Sequence, residues 1–319
     1  MSGFKKTSKQ RKGARQQRGV ALITVLLVFA LATVLAAELI SRNYRDIRRT
    51  ANAINSKQAY HYAMAGEQLA RQILHRDFIN SGTNNTDSLV EPWAKKLDSF
   101  EIENGKMSIE IIDQQGRFNL NNLGNNDNSA SYALVFRELL KVLDLKSDYT
   151  AQLQDWLDND SAILVGGAED DIYLTQRNAY LSANSPIADR TELRLLNGMN
   201  FEDYNRLKDY VAVLPPDTKY NINTLDVKIV EALSSRISAT QAANIKTQQL
   251  AGGHDSVAKW LSYEANLGSI SSKLAVHSEY FEVIVKTVYD GRISVLRTQL
   301  FRDASSGEIQ VLKRQQGFE

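Results

Sequence analysis

The residues best suited to chemistry are six carboxylates that lie close together in the sequence. They fall within 17 positions that contain no Lys or Arg. Carboxylate oxygens are hard ligands, which Ca²⁺ accepts more readily than Zn²⁺ does. The absence of nearby His or Cys therefore favours calcium. The group consists of Asp155, Asp158, Asp160, Glu169, Asp170 and Asp171. On the residues alone, this pattern predicts either a calcium site or a solvated acidic loop.

A pair of glycines lies in the middle of this acidic group. Gly166 and Gly167 would let the chain fold back, which would bring 169–171 near the DND sequence at 158–160. The spacing differs from that of an EF-hand, because DND is not followed by a third ligand and a Gly at the required positions. Any calcium site here would therefore have a loop geometry of its own.

Other catalytic groups are scarce in this chain. It has no Cys and only four His, which are scattered and not spaced as zinc ligands. The stretch Gly253-His254-Asp255-Ser256 contains the residue types of a hydrolase triad, but sequence neighbours seldom meet in triad geometry, and we interpret it as a loop. A glycosidase pair is also disfavoured, because it needs one carboxyl group in an apolar pocket. The sequence therefore predicts a protein that is not an enzyme.

An apolar segment at 20–37 determines where the rest of the chain lies. It carries no charge, has nearly the length needed to cross a bilayer as a helix, and follows seven basic residues. These charges predict a cytoplasmic N-terminus and an exported bulk. A cleaved signal peptide is the competing interpretation, with a weak cleavage site at 36–37. Because the helical pattern continues to about residue 79 without Pro, we favour a retained helix that spans roughly 90 Å.

The near-zero net charge hides an asymmetry between this leader and the remaining chain. All 37 acidic residues follow residue 19, whereas seven of the 38 basic residues precede it, so the remainder has a formal charge of −6. A protein with this net negative charge repels the phosphate backbone of nucleic acids. We therefore predict no nucleic-acid binding.

Two strand-rich segments are separated by a long helical one. Alternating apolar residues surround the NG at 104–105 and the DG at 290–291, and both dipeptides are typical of tight hairpin turns. A sheet built from both segments would enclose the helical residues as an insertion. Within the insertion, FNLNNL at 118–123 resembles YNINTL at 220–225. This echo predicts two small helical modules, each introduced by an Asn-rich turn.

The start of the chain resembles the class III signal of type IV pilins and type II secretion pseudopilins. In that family a basic leader ends in Gly, here Gly19, directly before the apolar helix. The resemblance implies cleavage between Gly19 and Val20 and methylation of the new N-terminus. The family's usual glutamate at the fifth mature position is Thr24 here, a substitution that resembles the K-type minor subunit. Three further blocks carry this resemblance: GRFNLNNL at 116–123, DWLDND with GGAEDD at 155–171, and TELRLLNGM at 191–199.

The resemblance implies an α+β fold, with a pilin-like long N-terminal helix and an antiparallel β-sheet interrupted by a large all-α inserted domain of two helical modules. The implied segments are a cleaved leader at 1–19, the long helix at 20–79 with its membrane part at 20–40, the β-sheet region at 80–125 and 268–319, and the inserted helical domain at 126–267. K-type subunits bind calcium in the helical domain, which favours the cation site over a solvated loop.

The resemblance also implies a minor pseudopilin at the tip of the type II secretion pseudopilus, which initiates or caps assembly and supports export of folded proteins across the outer membrane. The implied location is the bacterial inner membrane, with a single span, a cytoplasmic N-terminus and a periplasmic bulk. The implied partners are I-type and J-type minor pseudopilins, other pseudopilins, prepilin peptidase and the inner-membrane secretion platform. The alternative from another class is a membrane-tethered periplasmic calcium-dependent hydrolase, for which the sequence offers no coherent catalytic set.

Overall fold

The structure is a computed structural model that describes residues 13–82, 85–124, 128–145, 148–263 and 270–317. The chain divides into two compact units, the first ending at Gln58 and the second beginning at Ala59. Helix α1 (Gly13–Ser81) supplies the described part of the first unit and the start of the second. It contains no Pro, so its backbone hydrogen bonds continue without a break over 69 residues.

The elements that follow α1 are strands, helices and short 3-10 turns. The strands are β1 (Leu97–Ile102), β2 (Gly105–Asp113), β3 (Phe118–Asn119), β4 (Val211–Ala212), β5 (Tyr220–Asn221), β6 (Leu274–Ala275), β7 (Tyr280–Tyr289), β8 (Arg292–Arg302) and β9 (Ile309–Gly317). The helices are α2 (Ser129–Val142), α3 (Thr150–Leu157), α4 (Asp170–Tyr173), α5 (Phe201–Leu207), α6 (Val227–Leu233), α7 (Ala239–Leu250) and α8 (Val257–Tyr263). Short 3-10 turns cover Pro92–Ala94, Leu120–Leu123 and Arg190–Leu195.

The main sheet combines strands from both ends of the second unit. Its five strands lie in the order β1-β2-β7-β8-β9, and every neighbouring pair is antiparallel. Both predicted hairpin turns form, with Asn104 and Asp290 at positive φ values of 56° and 45°. Because Asp113 at the end of β2 pairs with Phe281 at the start of β7, the chain leaves the sheet and returns to it at one place.

The end of α1 packs on this sheet through small side chains. Ala59, Ala63 and Ala70 are fully buried. The helix also lies close to the sheet at Gly66, where a Cβ atom would lie 2.6 Å from Cγ1 of Val285. A larger residue at this position would force the helix and the sheet apart.

The helices between β2 and β7 surround a hydrophobic core of their own, separate from the core between α1 and the sheet. This arrangement confirms the predicted α+β fold with an all-α insertion. Two details were not predicted. The insertion contains two short parallel strand pairs, β3 with β4 and β5 with β6. Phe118, Leu120 and Leu123, which we assigned to the sheet region at 80–125, pack in the helical core.

The Asn-rich turns each hold a distant loop against their own helical module. Asn121 accepts a hydrogen bond from the backbone N–H of Ile187 at 2.8 Å and donates one to its carbonyl oxygen at 3.1 Å. Asn223, at the same place in the second turn, does the same with His254 at 2.7 and 2.9 Å. The internal echo in the sequence therefore corresponds to a repeated structural clamp.

Candidate functional site

The acidic loop is held against α3 by one buried carboxylate. Asp155 is completely buried on α3, and its two oxygens accept hydrogen bonds from the backbone N–H of Leu164 at 3.3 and 3.2 Å. The loop can come this close only because residue 167 is Gly. A Cβ atom on Gly167 would lie 1.9 Å from Oδ2 of Asp155. The predicted fold-back of the loop therefore occurs, and Gly167 makes it possible.

Three of the six predicted ligands form the inner part of the loop, where their charges act on one another. Burial raises the pKa of Asp155, and the neighbouring charges of Asp158 and Asp160 raise it further. Burial also raises the pKa of Glu169, with additional repulsion from Asp155 and Asp158. Burial and the charge of Asp160 raise the pKa of Asp158 in the same way. The fold therefore concentrates negative charge at this point.

The remaining predicted ligands lie at the margin of the loop. Asp160 and Asp171 are exposed. Asp170 accepts hydrogen bonds from the backbone N–H and hydroxyl of Ser182 at 2.8 and 2.9 Å. The hydroxyl of Ser182 also lies 2.9 Å from Oε2 of Glu169. Ser182 is a polar member of this site that the sequence did not reveal.

The donor set fits a calcium ion by chemistry. Oδ1 of Asp158 and Oε1 of Glu169 are both buried and have no hydrogen-bond partner among the described residues. A buried carboxylate oxygen without a partner is costly, and a cation would satisfy it. The set offers oxygen ligands only, as calcium requires. Asp158 and Glu169 are therefore the residues whose oxygens a cation would satisfy, but among the described residues no three of the six carboxylates bring their oxygens within 4.8 Å of one another.

A more compact acidic cluster lies elsewhere, but an arginine already compensates it. In the described parts of the chain, Asp77, Asp87 and Glu91 are the acidic triple whose oxygens all lie within 4.8 Å of one another. Nη2 of Arg302 lies 2.6 and 2.5 Å from the two carboxylate oxygens of Asp87, and Nη1 lies 3.5 Å from Asp77. Burial, with repulsion from Glu91 and Asp87, raises the pKa of Asp77 to about 7. This cluster joins α1, the following loop and β8.

Aromatic side chains pack together next to the acidic loop. Trp156 on α3 meets Tyr173 on α4 edge to face, with ring centroids 5.2 Å apart. Tyr173 stacks on Tyr180 at 5.3 Å. These contacts fix the two helices that carry the inner carboxylates.

The stretch 253–256, which contains the residue types of a triad, is a loop, as we interpreted it. His254 contributes its backbone to the Asn223 clamp. The hydroxyl of Ser256 accepts a hydrogen bond from the backbone N–H of Lys259 at 3.2 Å, at the start of α8. These contacts give the stretch a structural part in the second module.

The first unit contains an apolar helix of membrane-spanning length. An 18-residue window in the helix from Gly19 onward has a mean hydropathy of 2.8, and its side chains are not buried in the structure. Thr24 lies within it, and its hydroxyl donates a hydrogen bond to the carbonyl oxygen of Ala21 at 2.9 Å. A Cβ atom on Gly19 would meet nothing within 4 Å. The helix is therefore suited to single-pass membrane anchoring.

Comparisons with known proteins agree with these features. A family model described as type II secretion system (T2SS), protein K, matches residues 116–216. Over 95% of its length, the chain is 38% identical to the type II secretion system protein K of Pseudomonas aeruginosa, of which 94% is covered. The chain belongs to the type II secretion system protein K family. The protein K of Klebsiella pneumoniae is 37% identical over 83% of this chain and 86% of its own length.

A solved complex extends the similarity to the fold. The crystal structure of the GspK-GspI-GspJ complex from the enterotoxigenic Escherichia coli type 2 secretion system matches with a TM-score of 0.74 and 27% identity. The match covers 85% of this chain and all of the matched chain. Together with the family, this match supports the assignment of the chain as a minor pseudopilin of type II secretion. The family model begins at residue 116, two residues before β3, where the helical core also begins.

Proposed function

We propose that this chain forms the tip of the type II secretion pseudopilus, where it initiates or caps assembly and supports export of folded proteins across the outer membrane. The observation that carries the proposal is the similarity to a chain of the solved GspK-GspI-GspJ complex, together with membership of the protein K family. The I-type and J-type minor pseudopilins are accordingly the proposed partners at the tip. Other pseudopilins, prepilin peptidase and the inner-membrane secretion platform are the further proposed partners.

Maturation by prepilin peptidase removes the basic leader and keeps the anchor. Cleavage between Gly19 and Val20 leaves the whole apolar part of α1 on the product. Because a Cβ atom on Gly19 would meet no atom of the described residues within 4 Å, the requirement for Gly comes from the peptidase and not from packing. Methylation then modifies the amino group of Val20. The leader stays cytoplasmic and the second unit is periplasmic by the distribution of basic residues.

Thr24 supports the tip position. After cleavage, the N-terminal ammonium of each subunit is buried among apolar helices in the filament, where an unpaired charge is costly. In ordinary members of the family a glutamate at this position pairs with the ammonium of a neighbouring subunit. Thr24 has no carboxylate, and its hydroxyl is already bonded within its own helix. A subunit with this residue is therefore suited to begin a filament.

The helical insertion supports the same position by its bulk. It enters after Asp113 and returns before Phe281, which are paired neighbours on β2 and β7. The whole insertion therefore projects from one place on the sheet. A body of this size would obstruct any subunit stacked above it, so it acts as a cap.

Calcium in the acidic loop is the proposed cofactor. When bound, the ion supplies the positive charge that the six carboxylates lack. At one hundred times its dissociation constant, an ion that binds only the folded state stabilises it by about 2.7 kcal/mol. Chelation should therefore lower the melting temperature. If Asp158→Asn with Asp160→Asn leaves both the melting temperature and its response to calcium unchanged, the loop is merely solvated.

The proposed role is an assembly function without catalysis. The carboxyl group of Asp77 has a pKa of about 7, but it lies beside Arg302, Asp87 and Glu91 in the buried ion-pair cluster that joins α1 to β8. The hydrolase alternative would be supported by hydrolytic turnover of the purified full chain.

The tip position is tested by labelling and by removing the cap. Immunogold labelling of pseudopili should find the wild-type chain at one end only. Replacing residues 114–279 with a short Gly-containing hairpin turn joins β2 to β7 directly, because Asp113 and Phe281 are already paired. This variant should allow longer pseudopili. Gold distributed along the shaft, with the insertion-free variant giving pseudopili of unchanged length, would contradict the proposal.

A further inference from the structure

A polar cleft lies between the helical insertion and the main sheet. Its volume is about 390 Å³, which is in the range of small-ligand pockets. Part of its lining comes from Glu282 on β7, Gln299 on β8 and Lys313 on β9, which are paired neighbours across the three strands. Because successive side chains of a strand point to opposite faces, this row lies on the face away from α1, which packs on Val285. Insertion residues 189–191 line the cleft from the other side.

The cleft is positively charged, although the chain beyond the leader is acidic. Four basic and three acidic side chains line it, which gives a formal charge of +1. The chain from residue 20 onward carries −6. The basic residues of the cleft are Arg190, Lys208, Arg297 and Lys313. The cleft is therefore a place where this acidic chain can attract an anion.

One carboxylate, that of Glu282, lies among three guanidinium groups. Its Oε1 atom is 3.4 Å from Nη2 of Arg190 and 3.7 Å from Nη1 of Arg297. Behind the cleft, its Oε2 atom is 3.9 Å from Nη1 of Arg117. Charge-assisted hydrogen bonds between such groups are about 2.7–2.9 Å long, so Glu282 compensates all three only loosely. Burial and the neighbouring charge of Arg190 accordingly lower the pKa of Arg117.

The other two acidic residues of the cleft leave this excess of positive charge in place. Asp189 is already paired with Nζ of Lys313 at 2.8 Å and accepts a hydrogen bond from Nε2 of Gln315 at 2.6 Å. Asp209 is exposed, where water and salt screen its charge. The side chains of Arg190 and Arg297 are 24% and 40% exposed. An anion that enters the cleft from solvent can therefore reach both.

We propose that this cleft binds an acidic segment of a partner protein, with one carboxylate of that segment placed between Arg190 and Arg297. Guanidinium groups match the planar carboxylate, and these two already share the carboxylate of Glu282. A single negative charge also matches the excess of +1, whereas a phosphate monoester carries about −1.5 to −2 and would be repelled more strongly by Glu282. Gln299 adds an amide that can donate to and accept from a peptide backbone.

The test measures peptide binding to the full chain in neutral detergent by fluorescence anisotropy. The probe is an acetylated tetraglutamate amide with an uncharged dye, and the matching tetraglutamine is the neutral control. Arg297→Gln removes a guanidinium group from the exposed face of the sheet. Arg206→Gln, on α5 but outside the cleft lining, removes the same charge and is the matched control. Glutarate, inorganic phosphate and phosphatidylglycerol vesicles are the competitors.

Tetraglutamate should bind and tetraglutamine should not. Arg297→Gln should weaken binding roughly tenfold, because it removes charge-assisted hydrogen bonds. Arg206→Gln should change the affinity by less than about twofold, since an exposed charge outside the cleft contributes little. Glu282→Gln should strengthen binding, because Glu282 competes for the same guanidinium groups, whereas a general loss of structure would weaken it.

Failure of tetraglutamate to bind would overturn the proposal, as would an equal loss of affinity in Arg297→Gln and Arg206→Gln. Glutarate that binds as tightly as tetraglutamate would replace the peptide by a small carboxylate. Inorganic phosphate or phosphatidylglycerol vesicles that bind more tightly than tetraglutamate would likewise overturn the acidic peptide as the ligand. All of these outcomes are independent of the calcium site and of the position at the tip.

Discussion

Removing the side chain of Asn121 should destabilise the helical insertion strongly. Asn121 is 6% exposed, and besides its two bonds to Ile187 it donates to the carbonyl oxygen of Leu214 at 3.0 Å. Asn121→Ala leaves one N–H and two carbonyl groups of buried backbone without these partners. A buried polar group without a hydrogen-bond partner costs about 1–3 kcal/mol. Carbonyl groups are more easily hydrated than N–H groups, so their cost lies at the low end of this range. We therefore expect a total loss of about 3 kcal/mol in unfolding free energy.

This loss is measurable as a shift of the thermal transition. About 3 kcal/mol corresponds to roughly 6–12 °C in melting temperature for a domain of this size. Circular dichroism of the full chain in detergent, together with tryptophan fluorescence, follows the transition, because Trp156 and Trp260 lie in the helical core. The equivalent change Asn223→Ala should cost a similar amount, since its clamp on His254 has the same bonds.

A control variant separates the clamp from a general effect of losing Asn. Asn205 lies on α5 and donates to the carbonyl oxygen of Phe201 within its own helix, at 2.9 Å, which is its side-chain hydrogen bond among the described residues. Asn205→Ala should therefore change the unfolding free energy by less than about 0.5 kcal/mol. If Asn121→Ala costs no more than this control, the clamp does not hold the loop and our account of the two modules is incorrect.

Three further predictions concern charge, calcium and processing. The pKa of Asp77 rises to about 7 on folding, so the folded chain keeps a proton that the unfolded chain loses, and the unfolding free energy should fall as the pH rises from about 4 to 7. Asp77→Asn should flatten this pH dependence. In denaturant titrations at pH 8, it should add at most about 4 kcal/mol to the unfolding free energy. Gly167→Ala should abolish the calcium-dependent rise in melting temperature because its Cβ would overlap the Asp155 carboxylate, whereas Gly124→Ala, with its nearest atom at 3.4 Å, should retain it. Mass spectrometry of the membrane-extracted chain should find methylated Val20 as the N-terminus. Replacing Gly19 with a bulky residue should leave the leader attached. A soluble product that starts near residue 38 would indicate a cleaved signal peptide instead.

Local sequence signals predicted the sheet well. The NG and DG dipeptides fix tight turns by their own backbone preferences, and alternating apolar residues on either side fix which face is buried. Both hairpins accordingly formed where expected, with Asn104 and Asp290 at positive φ. The prediction that distant strands share one sheet also held, because each hairpin alone would leave an apolar face uncovered.

Features that depend on distant residues could not be read from the sequence. Helix α5 ends at Leu207, and Val211–Ala212 shortly after it pairs with Phe118–Asn119 across a long stretch of chain. The same pairing draws 118–123 into the helical core. Such tertiary contacts override local propensity, and no local pattern announces them.

The candidate site shows the same division. Composition revealed six carboxylates in one loop, but not that Asp155 would be buried as the anchor of the loop. Nor did it indicate the cluster around Arg302, whose partners Asp77 and Asp87 are more than 200 positions away. A buried Arg becomes recognisable only when the fold places its carboxylates around it.

We propose that this member of the protein K family works as part of a minor pseudopilin complex. The most direct measurement is co-expression of the full chain with the I-type and J-type pseudopilins of the same secretion system, followed by purification in detergent through a tag on this chain. The account predicts one complex containing all three subunits, with a mass determined by light scattering that exceeds that of this chain alone. Recovery of this chain by itself, when both other subunits are present and folded in the same cells, would contradict it.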